Sequence, residues 1–163
     1  MKKTATLFIV IFLGGLVFAG GGKNHIGVFW GQTSTTEFKH AEKTIGIEYE
    51  RALPLLGDML TIGATAEFVL ADHTETLLLG IASLRPPILG LKLFAGAGFA
   101  LMKVEKMNSN LELETEIESE FVLRIGTGYE LHLGYISVTP SIALDRINGH
   151  SSLVYGVAVG IGF

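Results

Sequence analysis

The last twelve residues, 152–163, read SLVYGVAVGIGF. From Leu153 to Phe163 every second position is large and apolar, and the positions between them are mostly glycine, alanine or serine. A repeat of two residues over this length predicts a β-strand with two unlike faces. The small side chains are too small to make their face water-soluble, but they suit a narrow, crowded barrel interior. The large apolar face is therefore expected to contact lipid.

Other segments of the chain repeat this design. The alternation recurs at residues 45–53, 60–70, 89–101, 121–132 and 136–145. Residues 76–84 are apolar at both parities, which leaves their register open, and a first strand is expected near 26–33. In hydrocarbon an unpaired strand edge leaves backbone groups unsatisfied at several kcal/mol each, so the sheet must close. The predicted fold is all-β: a closed, antiparallel, up-and-down transmembrane β-barrel of eight strands.

Pro140 lies inside a predicted strand and lacks a backbone donor, which predicts a bulge or local break there.

The connections alternate in character along the chain. An alternation of short turns and longer polar loops is typical of outer-membrane barrels. Short turns are expected at 54–58, 86–87 and 133–135, and more polar, mostly longer connections at 34–43, 71–75, 103–116 and 148–152.

The N-terminus has the pattern of a cleaved signal peptide. Lys2 and Lys3 precede an apolar run from Leu7 to Phe18, and Ala19 ends a plausible cleavage site. The apolar run is shorter than the ~20 residues that a spanning helix needs. We therefore expect residues 1–19 to be a signal peptide for export through the periplasm, and residues 20–163 to form the barrel.

Composition excludes several classes of function. The formal net charge is −4 and no basic stripe is present, so nucleic acid is not an expected partner. The chain has no cysteine, which excludes disulfides, thiolate metal sites, thiol nucleophiles and a lipidated N-terminal cysteine. Two Gly-x-Gly triplets lack the following glycine and helix that nucleotide binding requires. No cofactor is expected.

The C-terminal strand resembles the assembly signal of outer-membrane barrels, in which a terminal aromatic residue follows alternating apolar positions. The resemblance implies recognition by the barrel-assembly machinery. The mature chain as a whole resembles the small eight-stranded barrels of the outer-membrane protein A superfamily, often labelled porin-like. The second resemblance implies that the protein lies in a bacterial outer membrane, surrounded by lipid and lipopolysaccharide. The signal residues are Tyr155, Val157, Val159, Ile161 and Phe163.

A set of ionisable residues falls on the inward parities of the predicted strands. A charge that faces a narrow lumen must be paired or hydrated. The set therefore predicts either a salt-bridge network that plugs the barrel, which is favoured, or a gate along a narrow ion path. Arg124 is expected to pair with lumenal carboxylates, of which Glu48 and Glu130 are the nearest candidates. The set comprises Glu48, Glu50, Glu67, Lys92, Arg124, Glu130, His132 and Asp145.

Two further kinds of chemistry are weaker candidates. Some small outer-membrane barrels modify lipid A with Ser, His and an acidic residue, and such residues occur at 72–73 and 150–152. That chemistry needs a hydroxyl within hydrogen-bond reach of an oriented His, which a sequence does not show. A metal site formed by His40, His73 and His150 is disfavoured, because no pair has ligand spacing on one strand.

The connection 103–116 is acidic. Glu112, Glu114 and Glu116 alternate with other residues, which predicts a hairpin that extends above the membrane with an acidic face. Such a face is either merely solvated or binds cations or a basic partner. The leading functional prediction is a structural or surface-interaction barrel without catalysis. The alternatives are a narrow channel or gate and, less favoured, a lipid A-modifying enzyme.

Overall fold

The computed structural model describes residues 24–35, 41–54, 59–70, 75–86, 90–107, 113–133 and 135–163. No helix in these ranges is long and apolar enough to cross a membrane. The expected signal peptide, residues 1–19, lies outside them. The strands are β1 Asn24–Thr35, β2 Glu42–Ala52, β3 Leu60–Leu70, β4 Glu75–Leu84, β5 Leu91–Met107, β6 Leu113–Tyr129, β7 Leu131–Leu133, β8 Ile136–Ile147 and β9 His150–Gly162.

These strands close into one antiparallel barrel. Neighbours in the chain pair with each other, and β9 pairs with β1 from His25↔Gly162 to Thr35↔Ser152. β6 and β7 form a single wall, because both pair with β8 in one constant register. The nine described strands therefore make eight walls, which confirms the predicted eight-stranded, up-and-down barrel.

The interruption between β6 and β7 lies opposite Pro140. The ladder with β8 ends at Gly128 and resumes at Leu131. Pro140 has no N–H to donate to this ladder. The Glu130 N–H points to the other side of the wall, where it donates to the Gly90 carbonyl at 2.7 Å in the register of the β5–β6 ladder. The break predicted at Pro140 thus lies on the side of β8 that pairs with β6 and β7. The register between β8 and β9 is constant along the whole ladder, so β8 has no bulge.

Side chains alternate between the two faces as the sequence predicts. On β9, Tyr155, Val157 and Val159 are exposed on the outside, while Val154 and Ala158 are buried in the lumen. A barrel wall has a period of two, so one face of each strand must fill the interior and the other must face the surroundings. The exposed outer band is almost wholly apolar, as a lipid-facing surface requires.

The open register of residues 76–84 has a physical explanation. Leu77 and Leu79 point inward and Leu78 points outward, so both parities of β4 are apolar. The inward pair belongs to a cluster that fills the lumen near the end where β3 joins β4. This cluster, called here the apolar plug, consists of Val69, Leu77, Leu79, Ala100 and Val122, all no more than 5% exposed.

Two predicted connections have different boundaries. β8 and β9 are joined by a two-residue turn, Asn148-Gly149, so residues 150–152 are strand and not loop. β5 continues to Met107 and β6 begins at Leu113, so most of the connection predicted at 103–116 is paired strand. The described termini meet at the opposite end, where Asn24 and Phe163 exchange two backbone hydrogen bonds of 2.7 and 2.9 Å. We call the end with the β8–β9 turn and the β5–β6 connection the loop end, and the end where the described termini meet the turn end.

Candidate functional site

The lumen below the apolar plug holds the first group of charges, here called the upper cluster: Arg124, Glu67 and Asp145. Arg124 on β6 and Asp145 on β8 are directly paired across the ladder. Arg124 Nε donates to Asp145 Oδ1 at 2.6 Å and an NH2 hydrogen to Oδ2 at 2.7 Å. The same guanidinium donates to both carboxylate oxygens of Glu67, which reaches across the lumen from β3. All three residues are at least nine-tenths buried.

Arg124 does pair with lumenal carboxylates, but the choice of Glu48 and Glu130 as its partners was wrong. Glu130 lies six residues further along the same wall, a separation of roughly 20 Å at the rise of a β-strand. Glu48 is paired in register with Thr65, two residues from Glu67 and further from the loop end. A bidentate fork on each of two carboxylates is the geometry that guanidinium favours. The upper cluster therefore ties three walls together through one cation.

A second group of charges, the lower cluster, lies nearer the turn end and consists of Glu50, Lys92, Arg85 and Glu130. Lys92 Nζ lies 2.6 Å from Glu50 Oε1, and Arg85 donates to Glu50 Oε2 at 2.6 Å. Arg85 Nε also lies 3.3 Å from Glu130 Oε2. The buried Glu50 carboxylate is completed by hydroxyl donors on the neighbouring strands, Thr61 at 3.1 Å and Ser83 at 3.2 Å.

Sequence reasoning missed Arg85 because the register of residues 76–84 was open. Ser83 is buried in the lumen. Arg85 is two residues further along the chain and therefore lies on the same face. His25, one residue before the first predicted strand, was missed as well. Its Nε2 lies 2.6 Å from the Ser137 hydroxyl inside the barrel.

Glu48 is the least satisfied carboxylate of the described lumen. Its Oε1 lies 3.9 Å from His25 Nδ1, which is too far for a hydrogen bond. Within the described residues neither of these buried atoms has a hydrogen-bond partner. His132, in contrast, was wrongly expected in the lumen: it lies on β7 at the turn end with its side chain 63% exposed, 3.7 Å from Glu130.

The remaining internal space is small. A cavity of about 50 Å³ lies between the two clusters and is lined by Glu48, Thr65, Thr139 and Ser141 among others. Such a volume holds one or a few water molecules. Toward the loop end the upper cluster and then the apolar plug follow it. The described lumen is therefore layered: ion pairs lie at two levels, a buried apolar group of Phe29, Ala143, Val154 and Ala158 lines the cavity between them, and the apolar plug lies nearest the loop end.

On the outside, one hairpin extends beyond the rest of the barrel. The β4–β5 ladder ends at Thr76↔Leu101 and the β6–β8 ladder at Val122↔Ile147. β5 and β6 stay paired with each other up to Met107↔Leu113. Residues 102–107 and 113–121 are called here the extended hairpin. At its base the rings of Phe99 and Phe121 pack edge to face on the outer surface, with centroids 6.1 Å apart.

No protein-family model and no curated protein sequence matches this chain. Solved structures do. Ail of Yersinia pestis, in complex with the heparin analogue sucrose octasulfate, matches with a TM-score of 0.61 and 9% identity, over 87% of this chain and 99% of that one. The N-terminal β-barrel domain of OprF from Pseudomonas aeruginosa matches at 0.52 and 16%, over 87% and 99%. The outer membrane enzyme PagL matches at 0.51 and 13%, over 84% and 98%.

The fold is that of the small eight-stranded outer-membrane barrels. At these identities the likeness is one of fold alone, and the fold serves both enzymes and non-enzymes. The fold by itself therefore does not determine the role of this barrel.

The residues considered for catalysis or metal binding are not assembled in the described barrel. His150 and Ser151 are exposed at the start of β9, whereas Ser152 points into the lumen. His40, Asp72 and His73 lie outside the described residues. Within the described ranges there is no group of three or more His, Asp or Glu residues that could hold a metal ion.

The predicted assembly-signal residues share the outer face of the barrel. Tyr155, Val157, Val159 and Ile161 are all exposed on β9. Phe163 follows them with 67% of its surface exposed, next to β1 at the seam that closes the barrel. A receptor that contacts every second side chain of an extended strand could therefore bind all five signal residues on one face.

Proposed function

We propose that this chain is an integral protein of a bacterial outer membrane that acts at the cell surface, without catalysis and without conducting through its lumen. The apolar outer band supports the membrane location. Such barrels place their longer connections outside the cell and their short turns in the periplasm. In this orientation the extended hairpin projects from the cell, and both described termini face the periplasm.

The layered lumen is the observation that carries the proposal. An ion path through an eight-stranded barrel must pass between side chains, because the interior is just wide enough for them to fill it. Here the path would have to break the forks of Arg124 and then cross the apolar plug. Charged groups cross such low-dielectric layers only at a large desolvation cost. The external hairpin, in contrast, is presented by a rigid scaffold, as recognition elements usually are.

The non-catalytic part of the proposal rests on how the polar groups are used. The carboxylates of Glu50, Glu67 and Asp145 are paired with the buried cations Lys92 and Arg124, so they are structural partners and not free bases. Similarity in fold to Ail, the attachment invasion locus protein, is consistent with a surface role, and similarity to PagL keeps an enzyme as the rival.

Surface labelling tests the location and orientation. The chain has no native cysteine, so single cysteines can be introduced at chosen positions. Ser119→Cys, on the exposed face of the extended hairpin, should react with a membrane-impermeant maleimide on intact cells. Tyr135→Cys, exposed at the turn end, is the matched control and should react only after the outer membrane is permeabilised. The reverse pattern would refute the proposed orientation.

A lipid A mass spectrum separates the proposal from its enzymatic rival. Cells that overproduce the barrel should show the same lipid A acyl chains as cells that carry an empty vector. Loss of an acyl chain that depends on His150 or Ser151 would make the barrel an enzyme and overturn the non-catalytic part of the proposal.

A further inference from the structure

The outer wall of the barrel carries an apolar cavity of about 670 Å³, called here the outer groove. It runs obliquely across the strands, from the turn-end side of β3 and β4 to the loop-end side of β8 and β9. Leu60 and Leu84 are paired with each other at the first of these ends, and Leu144 and Leu153 at the second. The outer groove therefore lies within the lipid-facing band of the barrel.

Small side chains form the floor of the outer groove. Ala82 on β4 and Ala95 on β5 line it and lie directly opposite each other. Beside them, Thr127 on β6 donates its hydroxyl hydrogen to the Lys92 carbonyl at 3.1 Å, so this hydroxyl is already paired. The floor is thus low and without an unsatisfied polar group. Larger apolar side chains form the walls on either side of it: Leu84, Leu93, Ile125 and Ile142.

An extended hydrocarbon chain matches the outer groove in size and polarity. A water molecule takes up roughly 30 Å³ and a methylene group is similar in size, so the volume corresponds to roughly twenty methylene groups. Lipid tails are as apolar as leucine, so close packing over small side chains is the main attraction inside a membrane. Because the groove is continuous with the lipid-facing band, the hydrocarbon that reaches it is an acyl chain of a membrane lipid.

A cationic side chain stands at the loop-end exit of the outer groove. Arg146 is the next outward residue of β8 after Leu144, and it lies directly opposite Ser151 on β9. Its side chain is exposed. A guanidinium favours bidentate hydrogen bonds with a phosphate group. A lipid whose acyl chain fills the outer groove from the loop end can therefore place a phosphate beside Arg146.

We infer that the outer groove binds one lipid A molecule of the outer leaflet, with an acyl chain over Ala82 and Ala95 and a phosphate at Arg146. Both contacts belong to one groove, so a single molecule can make them together. A phospholipid of the inner leaflet would place its phosphate at the turn end, where Leu60 and Leu84 line the groove. The inference goes beyond the proposed surface role and rests on its orientation, in which the loop end meets the outer leaflet.

A second copy of the barrel fits the outer groove less well than an acyl chain does. The outside of a barrel is convex, so its wall would meet the leucine and isoleucine side chains of the rim before it reached the alanine floor. A single acyl chain is narrow and flexible enough to follow an oblique path between them. Shape therefore favours the lipid.

Native mass spectrometry of the intact, refolded barrel in a mild non-ionic detergent tests the inference. The probe is lipid A with six acyl chains and both phosphates. One lipid A should remain bound per barrel after transfer into the gas phase. Phosphatidylcholine, which carries no net charge, and lipid A without phosphates should each bind at least about tenfold more weakly.

Two pairs of variants separate the acyl contact from the phosphate contact. Ala82→Phe with Ala95→Phe fills the floor and should weaken binding of lipid A at least about tenfold, whereas Ala66→Phe, at an outward alanine of β3 outside the groove lining, should not. Arg146→Ala should weaken binding of lipid A but not of lipid A without phosphates. Arg51→Ala, at the turn end of β2, should change neither. Heat-modifiable gel mobility confirms that each variant is folded.

Three outcomes would overturn the inference. In the first, lipid A binds the variant with a filled groove as tightly as the wild type, so that its acyl chain lies elsewhere. In the second, lipid A without phosphates binds as tightly as lipid A itself, so that Arg146 selects nothing. In the third, the barrel self-associates and filling the groove abolishes this, so that a second copy occupies it. The detergent assay does not depend on cell location, so a failure here is distinguishable from a failure of surface labelling.

Discussion

Arg124 is the residue on which the upper half of the lumen depends. Replacing it with alanine leaves Glu67 and Asp145 as neighbouring, uncompensated carboxylates in the buried interior. Removal of one partner from a buried ion pair typically costs about 3–5 kcal/mol. Arg124→Ala should therefore lower the urea midpoint of the refolded barrel, followed by the fluorescence of the single tryptophan, Trp30.

The controls for Arg124 separate charge burial from loss of a long side chain. Arg146→Ala removes an outward-facing arginine on β8 and should change the free energy of unfolding by no more than about 0.5 kcal/mol. Adding Glu67→Gln and Asp145→Asn to an Arg124→Met barrel should restore part of the lost stability, because no charge is then left unpaired. Equal midpoints for Arg124→Ala and Arg146→Ala would contradict the buried fork.

The two cations of the lower cluster should differ in importance. The Lys92 side chain is 6% exposed and that of Arg85 is 24% exposed, although both contact Glu50. Solvent screens the more exposed ion pair more strongly. Lys92→Met should cost roughly 3 kcal/mol and Arg85→Met roughly 1 kcal/mol in urea titrations. An equal or reversed order would show that exposure does not decide how strongly each cation holds Glu50.

Alternation along a strand was sufficient to find the inward charges but not to pair them. It selects Glu50, Glu67 and Arg124 because the apolar parity of each strand marks its outward face, without any knowledge of how the strands pair. The partnership of Arg124 with Asp145 needs one more fact, the short connection between β7 and β8. Counting back from the Leu133↔Ile136 pair along both strands gives Arg124↔Asp145 directly. The contact between Arg124 and Glu67 could not be found by counting along paired strands, because it crosses the lumen and depends on the stagger of all the walls between β3 and β6.

At the scale of single elements, the two turn residues of the β8–β9 hairpin fix the register of the whole ladder between these strands. Asn148 has a φ of +46° and Gly149 a φ of +89°, the pair of left-handed residues that a two-residue type I′ turn requires. A Cβ added to Gly149 meets no atom within 4 Å, so any cost of Gly149→Ala comes from the backbone. We expect a loss of about 1 kcal/mol. Asn148→Gly should cost less than Gly149→Ala, because glycine adopts a positive φ freely and the lost hydrogen bond from Asn148 to Glu120 is exposed. A larger loss from Asn148→Gly than from Gly149→Ala would exclude this explanation.

The last residue has two separable roles in β9. Its backbone exchanges two hydrogen bonds with Asn24 at the seam, and its side chain is exposed on the outer face. Phe163→Ala keeps the backbone and should reduce insertion into the outer membrane of cells while leaving refolding in detergent near normal. Deletion of Phe163 should reduce both, because the seam loses its final pair. Normal insertion of Phe163→Ala in cells would refute the assembly signal proposed for this strand.

At the scale of the whole molecule, closure and filling of the barrel explain most of what the sequence shows. Outward positions are large and apolar. Inward positions are small, hydroxyl-bearing, charged or apolar, and the apolar ones form the apolar plug and a second buried cluster of Phe29, Ala143, Val154 and Ala158. The apolar plug was not predicted, because an inward leucine in β4 has the same appearance in sequence as an outward one. Its members come together from β3, β4, β5 and β6, which only the closed sheet reveals.

The layered lumen predicts how the barrel should behave in a planar bilayer. The wild-type barrel should show no stepwise conductance, because the upper cluster and the apolar plug both block the axis. Arg124→Ala alone should stay closed, since Leu77, Leu79 and Val122 still fill the lumen above it. Combining Arg124→Ala with Leu77→Ser and Leu79→Ser should open a small, hydrated path and give measurable single-channel events, with folding checked by heat-modifiable mobility. Regular openings of the wild-type barrel would instead make the ion pairs a gate, and the proposed role would then move from the extended hairpin to the lumen.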